Sequence, residues 1–366
     1  MGSKQKITVE MWEEALEGFL LNIFFNELLI NPKEHKVVVL EELTMSIPFK
    51  EALTRMLLKR FGAPAVLFFS SPIASLLPID TRTALIVDIG YSGISIVPIY
   101  EGKILSHASV VSNLGVKKVE DRLSELILQH AKILDTSAQS KRPVERGDLC
   151  EVGDMVRGCC VLPFESSPNS TKKDPSYEFL ANKRDMIFSV SSTKKFLVPA
   201  DVRTHAAEIL FEGDEENETI ATQILSCLQR CAVDVRYELA RNVLLKGGGV
   251  MFGIKRRILG EISSLTSTHE QFKGLSNLSP HFAFLTNPSL SLSYVGASML
   301  GSVINSLTKK EGVLTAADYD LVECAYDWTH LATPSRAQMH SFKNAKINFE
   351  FEFSPLTPYK TPKKSR

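Results

Sequence analysis

Residues 84–111 read ALIVDIGYSGISIVPIYEGKILSHASVV, and this stretch decides the fold. Three apolar runs, at 84–89, 94–100 and 104–111, are separated by Gly90-Tyr91-Ser92-Gly93 and by Glu101-Gly102-Lys103. Short β-rich runs joined by glycine-containing turns predict an antiparallel meander. The first run carries an acid, Asp88, two residues before Gly90. A carboxylate at a strand end can hold a metal-bound water, and a glycine-rich turn lets backbone N–H groups face an anion. A second element of the same kind lies downstream. Residues 242–246 (NVLLK) form an apolar strand that runs into Gly247-Gly248-Gly249, then a helical pattern through Ile254, Ile258 and Ile262. Those glycines would allow close backbone approach to an adenosine–phosphate group at a helix N-terminus. Either turn alone is common in proteins that bind no ligand; the two in this order carry the reading.

The surrounding pattern is mixed α and β. Residues 9–30 place Trp12, Leu16, Phe19, Leu20, Ile23 and Phe24 at helical spacing, with acids in the first turns and Pro32 beyond the end. That predicts an amphipathic helix. KVVVL at 36–40 predicts a buried strand, 49–61 a second helix with Arg55, Lys59 and Arg60 outside, and 65–69 another strand. Such alternation favours a layered α/β domain. After the meander, 117–134 predicts a helix whose stripe is Val119, Leu123, Leu126, Ile127 and His130. Residues 136–176 are rich in Ser, Pro, Gly and Lys and predict an irregular connection. The acidic run 212–218 is expected to open the helix through Ile220, Ile224 and Leu228, where acids complement the dipole. Residues 293–307 start with small residues and turn helical, and 344–366 reads as a frayed tail.

Composition narrows the function classes. At 366 residues with 44% hydrophobic and 23% charged, the chain is long and apolar enough for a large core, which excludes a disordered or disulfide-stapled protein. Lys+Arg and Asp+Glu are both 42, so the global field of a dedicated nucleic-acid or polybasic membrane binder is missing. None of the six cysteines forms a C-x-x-C pair, and no histidine stands at zinc-finger spacing, so reduced core thiols are expected and no metal site. No apolar run follows Lys4 and Lys6, and the uncharged stretch 63–79 is broken by three prolines. Neither a signal peptide nor a membrane span is expected.

Together these elements resemble the nucleotide-binding halves of the actin and heat-shock ATPase superfamily, and actin above all. Residues 11–134 resemble actin with essentially no gap, through FFNELLINPKEHKVVVLEE, FGAPAVLFFSSPIASLL and ALIVDIGYSGISIVPIYEGKILSHA. CAVDVRYELARNVLLKGGGVMFG (231–253) resembles the family's adenosine-loop region, and SYVGASMLGS (293–302) a second connecting segment. The likeness is poor only between about 135 and 210. Within the family the chain is most similar to the divergent branch at the pointed end of dynactin. That likeness rests on FKEALTRMLLKRF, Tyr91, LFEGDEENETIATQIL and Asp327-Trp328.

The resemblance implies an α/β, actin-like (ribonuclease H-like, duplicated) fold with two large lobes around a cleft. On it, 1–78 is a partial first lobe, 79–114 the phosphate-hairpin part of the second, and 115–214 a divergent outer subdomain. Residues 215–292 continue the second lobe, and 293–366 complete the first and end in the tail. The family's N-terminal phosphate hairpin and small clamp domain are expected to be missing. The implied ligand is ATP or ADP with Mg²⁺, in a degenerate site of Asp88, Gly90, Gly247, Gly248 and Gly249. Ser71 stands where the family has the glutamine that positions water, and Ser95 where it has a histidine; Tyr91 replaces an acid and Ser92 a glycine. A serine is too short for either task, so no ATPase activity and no catalytic residue is expected, residual nucleotide binding being left open. Met155 and Val156 are apolar where polar base contacts are expected.

The implied role is a non-catalytic, cytoplasmic and cytoskeletal subunit that caps the pointed end of dynactin's actin-like filament in dynein-driven transport. Its partners would be filament subunits and the other cap proteins, with dynein reached indirectly and no nucleic acid. Docking is expected around Tyr294 and Val295 and beside 314–319. The alternatives are an ATP-hydrolysing cytoskeletal relative and a chromatin-remodelling subunit, the latter hinted at by Lys360, Lys363, Lys364 and Arg366.

Overall fold

The computed structural model describes residues 8–135, 140–146, 155–156, 160, 162, 185–189, 194–213, 218–285, 291–304, 313–317 and 319. The tail at 344–366, its basic residues and Asp327-Trp328 lie outside the described residues. The chain divides into two compact units, one of residues 1–39, 45–68 and 301–366, the other of 40–44 and 69–300.

The first unit is built on the helix Val9–Leu21, whose N-cap Thr8 accepts from the Met11 N–H. A wider turn, Asn22–Glu27, extends it. A second helix, Ile47–Arg55, starts at Ser46, whose hydroxyl accepts from Phe49 N–H, and extends likewise through Met56–Arg60. Leu16, Leu20, Phe24, Ala52, Met56 and Leu57 are the buried stripes of these helices, and Val66, Phe68 and Leu314 meet them from strands. Trp12 and Phe49 meet edge to face at 4.9 Å. Strands β1 (Val37–Glu41), β2 (Ala65–Ser70) and, far along the chain, Val313–Thr315 form a sheet in the order β1, β2, Val313–Thr315, the last antiparallel to β2.

The second unit carries the meander. Strands β3 (Ala84–Ile89) and β4 (Ile94–Tyr100) pair in antiparallel register, Asp88 opposite Ser95. The third run, expected as one strand, is two: β5 (Lys103–Ile104) and β6 (Val110–Ser112), both on β4. Ile104 pairs with Ile99 and Val110 with Ile96, so the chain has residues to spare between them, and the 3-10 turn Ser106–Ala108 takes them up. Ala108 is buried there while His107 is exposed.

The next helix runs Val116–His130, and Lys132–Asp135 is a strand, β7, not the helix's last turn. Burial explains the change: Ala131 and Ile133 are inside while Lys132 is exposed, a period of two. His130, expected on the apolar stripe, is exposed. Within the stretch expected to be irregular, Ser140–Pro143 is strand β8. With β9 (Met186–Ser189) and β10 (Lys194–Val198) it completes an antiparallel sheet in the order β8, β7, β10, β9.

Glu212 does not open a helix but ends one, Ala200–Glu212, and is held by the two terminal guanidinium nitrogens of Arg122 at 2.9 and 3.0 Å. The following helix, Ile220–Arg230, is started by Thr219 and Thr222 in a reciprocal capping box. Hydroxyls meeting the first N–H groups do the work expected of acids. Helices Val233–Arg241 and Ile254–Thr268 flank β11 (Val243–Lys246), which lies parallel to β3. Arg257 joins Glu208 and Glu261, each at 2.9 Å, across two of these helices. Burial raises the Glu208 carboxyl above its ordinary range, against the pull of Arg257. Cys160, Cys227 and Cys231 are buried. Contact with the Cys231 thiol, then burial, pushes the Cys227 thiol up. Among the described residues no helix is long and apolar enough to cross a membrane.

Candidate functional site

The central sheet of the second unit, in the order β11, β3, β4, β5, is buried on both faces. Leu85, Val87, Ile89, Ile94, Ile96, Val243 and Leu245 face the main core. Ala84, Ile86, Val97, Ile99 and Leu244 face a smaller one with Leu76 and Leu292. Strand alternation therefore puts Asp88, Ser95 and Lys246 on the smaller core's face, one step beyond Ile86, Val97 and Leu244. Three polar side chains end an apolar face at the tips of adjacent strands.

Lys246 is the centre of this group. Its side chain is 5% exposed, which for a lysine demands partners. The Nζ lies 2.8 Å from Asp88 Oδ2 and donates to Ser71 Oγ at 2.9 Å and Ser293 Oγ at 3.2 Å. Glu42 Oε1 is 3.5 Å away. Ser71 in turn donates to Ser293 at 3.1 Å. An ammonium has three protons, and Asp88, Ser71 and Ser293 match them. Ser71 opens the short helix Ser71–Leu76, and Ser293 lies in the first turn of Leu292–Ile304. The two helices approach closely because residue 296 is glycine: a Cβ there would lie 2.7 Å from the Ala74 carbonyl carbon and nearer still to its oxygen.

The structure gathers Asp88, Gly90 and the triple glycine, all expected at the site. Gly90 N–H is committed to the Gly93 carbonyl at 2.9 Å, closing the hairpin. The hairpin's own carbonyls, of Gly90 and Tyr91, accept from Val116 and Lys117 N–H at 3.0 and 2.9 Å. Gly249 N–H donates to the Ile89 carbonyl at 2.9 Å. Gly247 has φ of +99°, and a Cβ on it would meet Asp88 Oδ1 and the Ile89 carbonyl. On Gly249 a Cβ would meet the Ile89 and Val116 side chains, whereas on Gly248 it would point into open space. Gly247 and Gly249 thus allow approach to this chain's own hairpin. The helix beyond starts at Ile254, with Gly253 as its cap, not directly after the glycines. Met155 and Val156 are buried in the main core.

Sequence reasoning missed Lys246. Its signal was present: VLLK at 243–246 is a fully buried strand whose last residue is charged, and a charge at a buried strand end calls for a counter-charge. Of the docking residues, Tyr294 and Val295 are exposed at 70% and 41%, with Met299, one turn beyond Val295, at 40%. Leu314 and Tyr319 are buried in the first unit instead. Tyr319 donates to Glu51 and accepts from Arg55 Nε at 3.1 Å, beside a groove of about 480 Å³ lined by Glu10, Glu13, Glu17 and Lys59. Burial, with the Glu51 carboxylate, pushes the Tyr319 phenol up to about 12. Among the described residues no group of three or more His, Cys, Asp or Glu is placed to hold a metal ion.

A family model described as Actin matches residues 4–158 and 198–320, well over half of the chain. The chain is also 27% identical over 333 residues to actin-related protein 10 of Dictyostelium discoideum, covering 83% of this chain and 70% of that protein.

Proposed function

The chain belongs to the actin family, and on that premise we propose that it is a non-catalytic subunit capping the pointed end of dynactin's actin-like filament. In that place it supports dynein-driven transport along microtubules, in the cytoplasm and with the cytoskeleton. The likeness to actin-related protein 10 supports an actin-related rather than a conventional actin role. One observation carries the non-catalytic part: Ser71, which stands at the family's water-positioning place, is 2% exposed and has its hydroxyl engaged by Lys246 and Ser293. A hydroxyl so held cannot order an attacking water. Val295 and Met299, one helical turn apart, and the neighbouring Tyr294 expose apolar surface on one helix, of the kind that interfaces bury.

Two measurements test this. Purified chain added to short actin-like filaments is expected to stop growth at the pointed end and to release no phosphate above background. Affinity capture from native extract is expected to bring filament subunits, the other cap proteins and dynein adaptors. Unchanged pointed-end growth, or capture of chromatin-remodelling subunits in their place, would overturn the assignment.

A further inference from the structure

The family resemblance gives Asp88 the task of holding the water shell of a divalent metal beside nucleotide phosphates. The residues present do not fit that ion. Mg²⁺ requires oxygen ligands at about 2.0–2.1 Å in an octahedron, usually with several waters kept. Here an ammonium stands 2.8 Å from Asp88 Oδ2, buried to 5% exposure and anchored by two serine hydroxyls. A divalent cation at Asp88 would have to sit against a like charge in a poorly solvated place.

The structure assigns to Lys246 the role of a tethered cation that replaces the metal. Only the second unit's own geometry bears on this role, which holds whether or not the subunit serves dynactin. Lys246 extends from the tip of β11, Asp88 from β3, Ser71 from the start of one helix and Ser293 from the first turn of another. Glu42 adds a second, half-exposed carboxylate at 3.5 Å. One covalently tethered charge therefore joins four segments that a bound metal and its ligands would otherwise have to join. It cannot dissociate and has no hydrolysis-linked state. The second unit should hold one conformation at any divalent-ion concentration.

The test uses the full chain and Mn²⁺ as probe, followed by electron paramagnetic resonance, with thermal unfolding in parallel. The wild type is expected to show no Mn²⁺ binding that Asp88→Asn removes, and the same melting temperature in EDTA as in millimolar Mg²⁺. Lys246→Ser is expected to melt lower in EDTA and to recover when Mn²⁺ or Mg²⁺ is added. Its Mn²⁺ affinity should rise at least about tenfold, the least expected from removing a like charge a few ångströms away. Adding Asp88→Asn to that variant should abolish the gain. Wild-type Mn²⁺ binding that depends on Asp88, or a folded Lys246→Ser that gains none, would overturn the inference. Should Lys246→Ser fail to fold, Lys246→Met with Asp88→Asn decides: recovered folding supports the ion pair as the reason for the lysine, and no recovery overturns it.

Discussion

Three consecutive glycines with three different surroundings give a sharp test of why the 247–249 run exists. In Gly247→Ala the new Cβ would lie 2.7 Å from the Ile89 carbonyl carbon and closer still to that carbonyl's oxygen and to Asp88 Oδ1, so backbone must move. The φ of +99° adds the left-handed penalty of about 1–2 kcal/mol. Overpacking against backbone adds about 1–3 kcal/mol, for a loss of about 2–5 kcal/mol in all. In Gly249→Ala the φ is ordinary, and the Cβ meets side chains, Val116 Cγ2 at 2.9 Å and Ile89 Cγ2 closer. Those can shift, so about 1–3 kcal/mol is expected. Gly248→Ala meets nothing within 4 Å and should be neutral or stabilising by up to about 1 kcal/mol through a stiffer unfolded chain. Urea unfolding of the three variants should rank the midpoints 248, then 249, then 247, with unchanged slopes. Should Gly248→Ala be as damaging as Gly247→Ala, close approach to the hairpin is not what the glycines serve.

Tyr319→Phe deletes the hydrogen bonds to Glu51 and Arg55 and is expected to cost about 1.5–3 kcal/mol at pH 7. Because folding raises the phenol's pKa to about 12 from 10.0, the protonated form is the one the fold favours. Its contribution is complete below pH 10.0 and is lost as pH rises towards 12, so wild type and variant should converge over that window in unfolding experiments and differ by a constant amount below it. Thr219→Ala removes one half of the capping box at Ile220–Arg230 and should cost about 1 kcal/mol, while Thr219→Ser should restore most of it in the same denaturation assay.

The central sheet was legible because its signals are local. Apolar runs at 84–89 and 94–100 with glycine turns between them fix both strands and their pairing, and the observed ends coincide with the runs. The first two helices and strands followed from the same kind of signal, displaced by one to three residues once the wider turns that extend the helices are counted. What failed depends on distant partners. Residues 132–134 continue a helical pattern in composition, but the sheet formed with Lys194–Val198, some sixty positions on, makes them a strand. The acids around Glu212 suit a helix start, yet Arg122 from another helix claims Glu212 at a helix end. At the site, Asp88 and the glycines could be read from spacing. The lysine that occupies Asp88 could not be paired with it, because 158 positions separate them and only the parallel register of β3 and β11 brings them side by side.

The same hairpin has a mechanical consequence. The first two amides of the helix Val116–His130 are held by the carbonyls of Gly90 and Tyr91, and Gly115 packs so tightly on the turn that a Cβ there would lie 2.7 Å from Ser92's carbonyl carbon. Turn and helix are therefore geared together. A displacement of the 90–93 loop would carry with it the start of a helix of 15 residues whose far end leads into β7. The Val116 and Lys117 amides become built-in gauges: their hydrogen exchange runs at the rate at which the turn itself lets go.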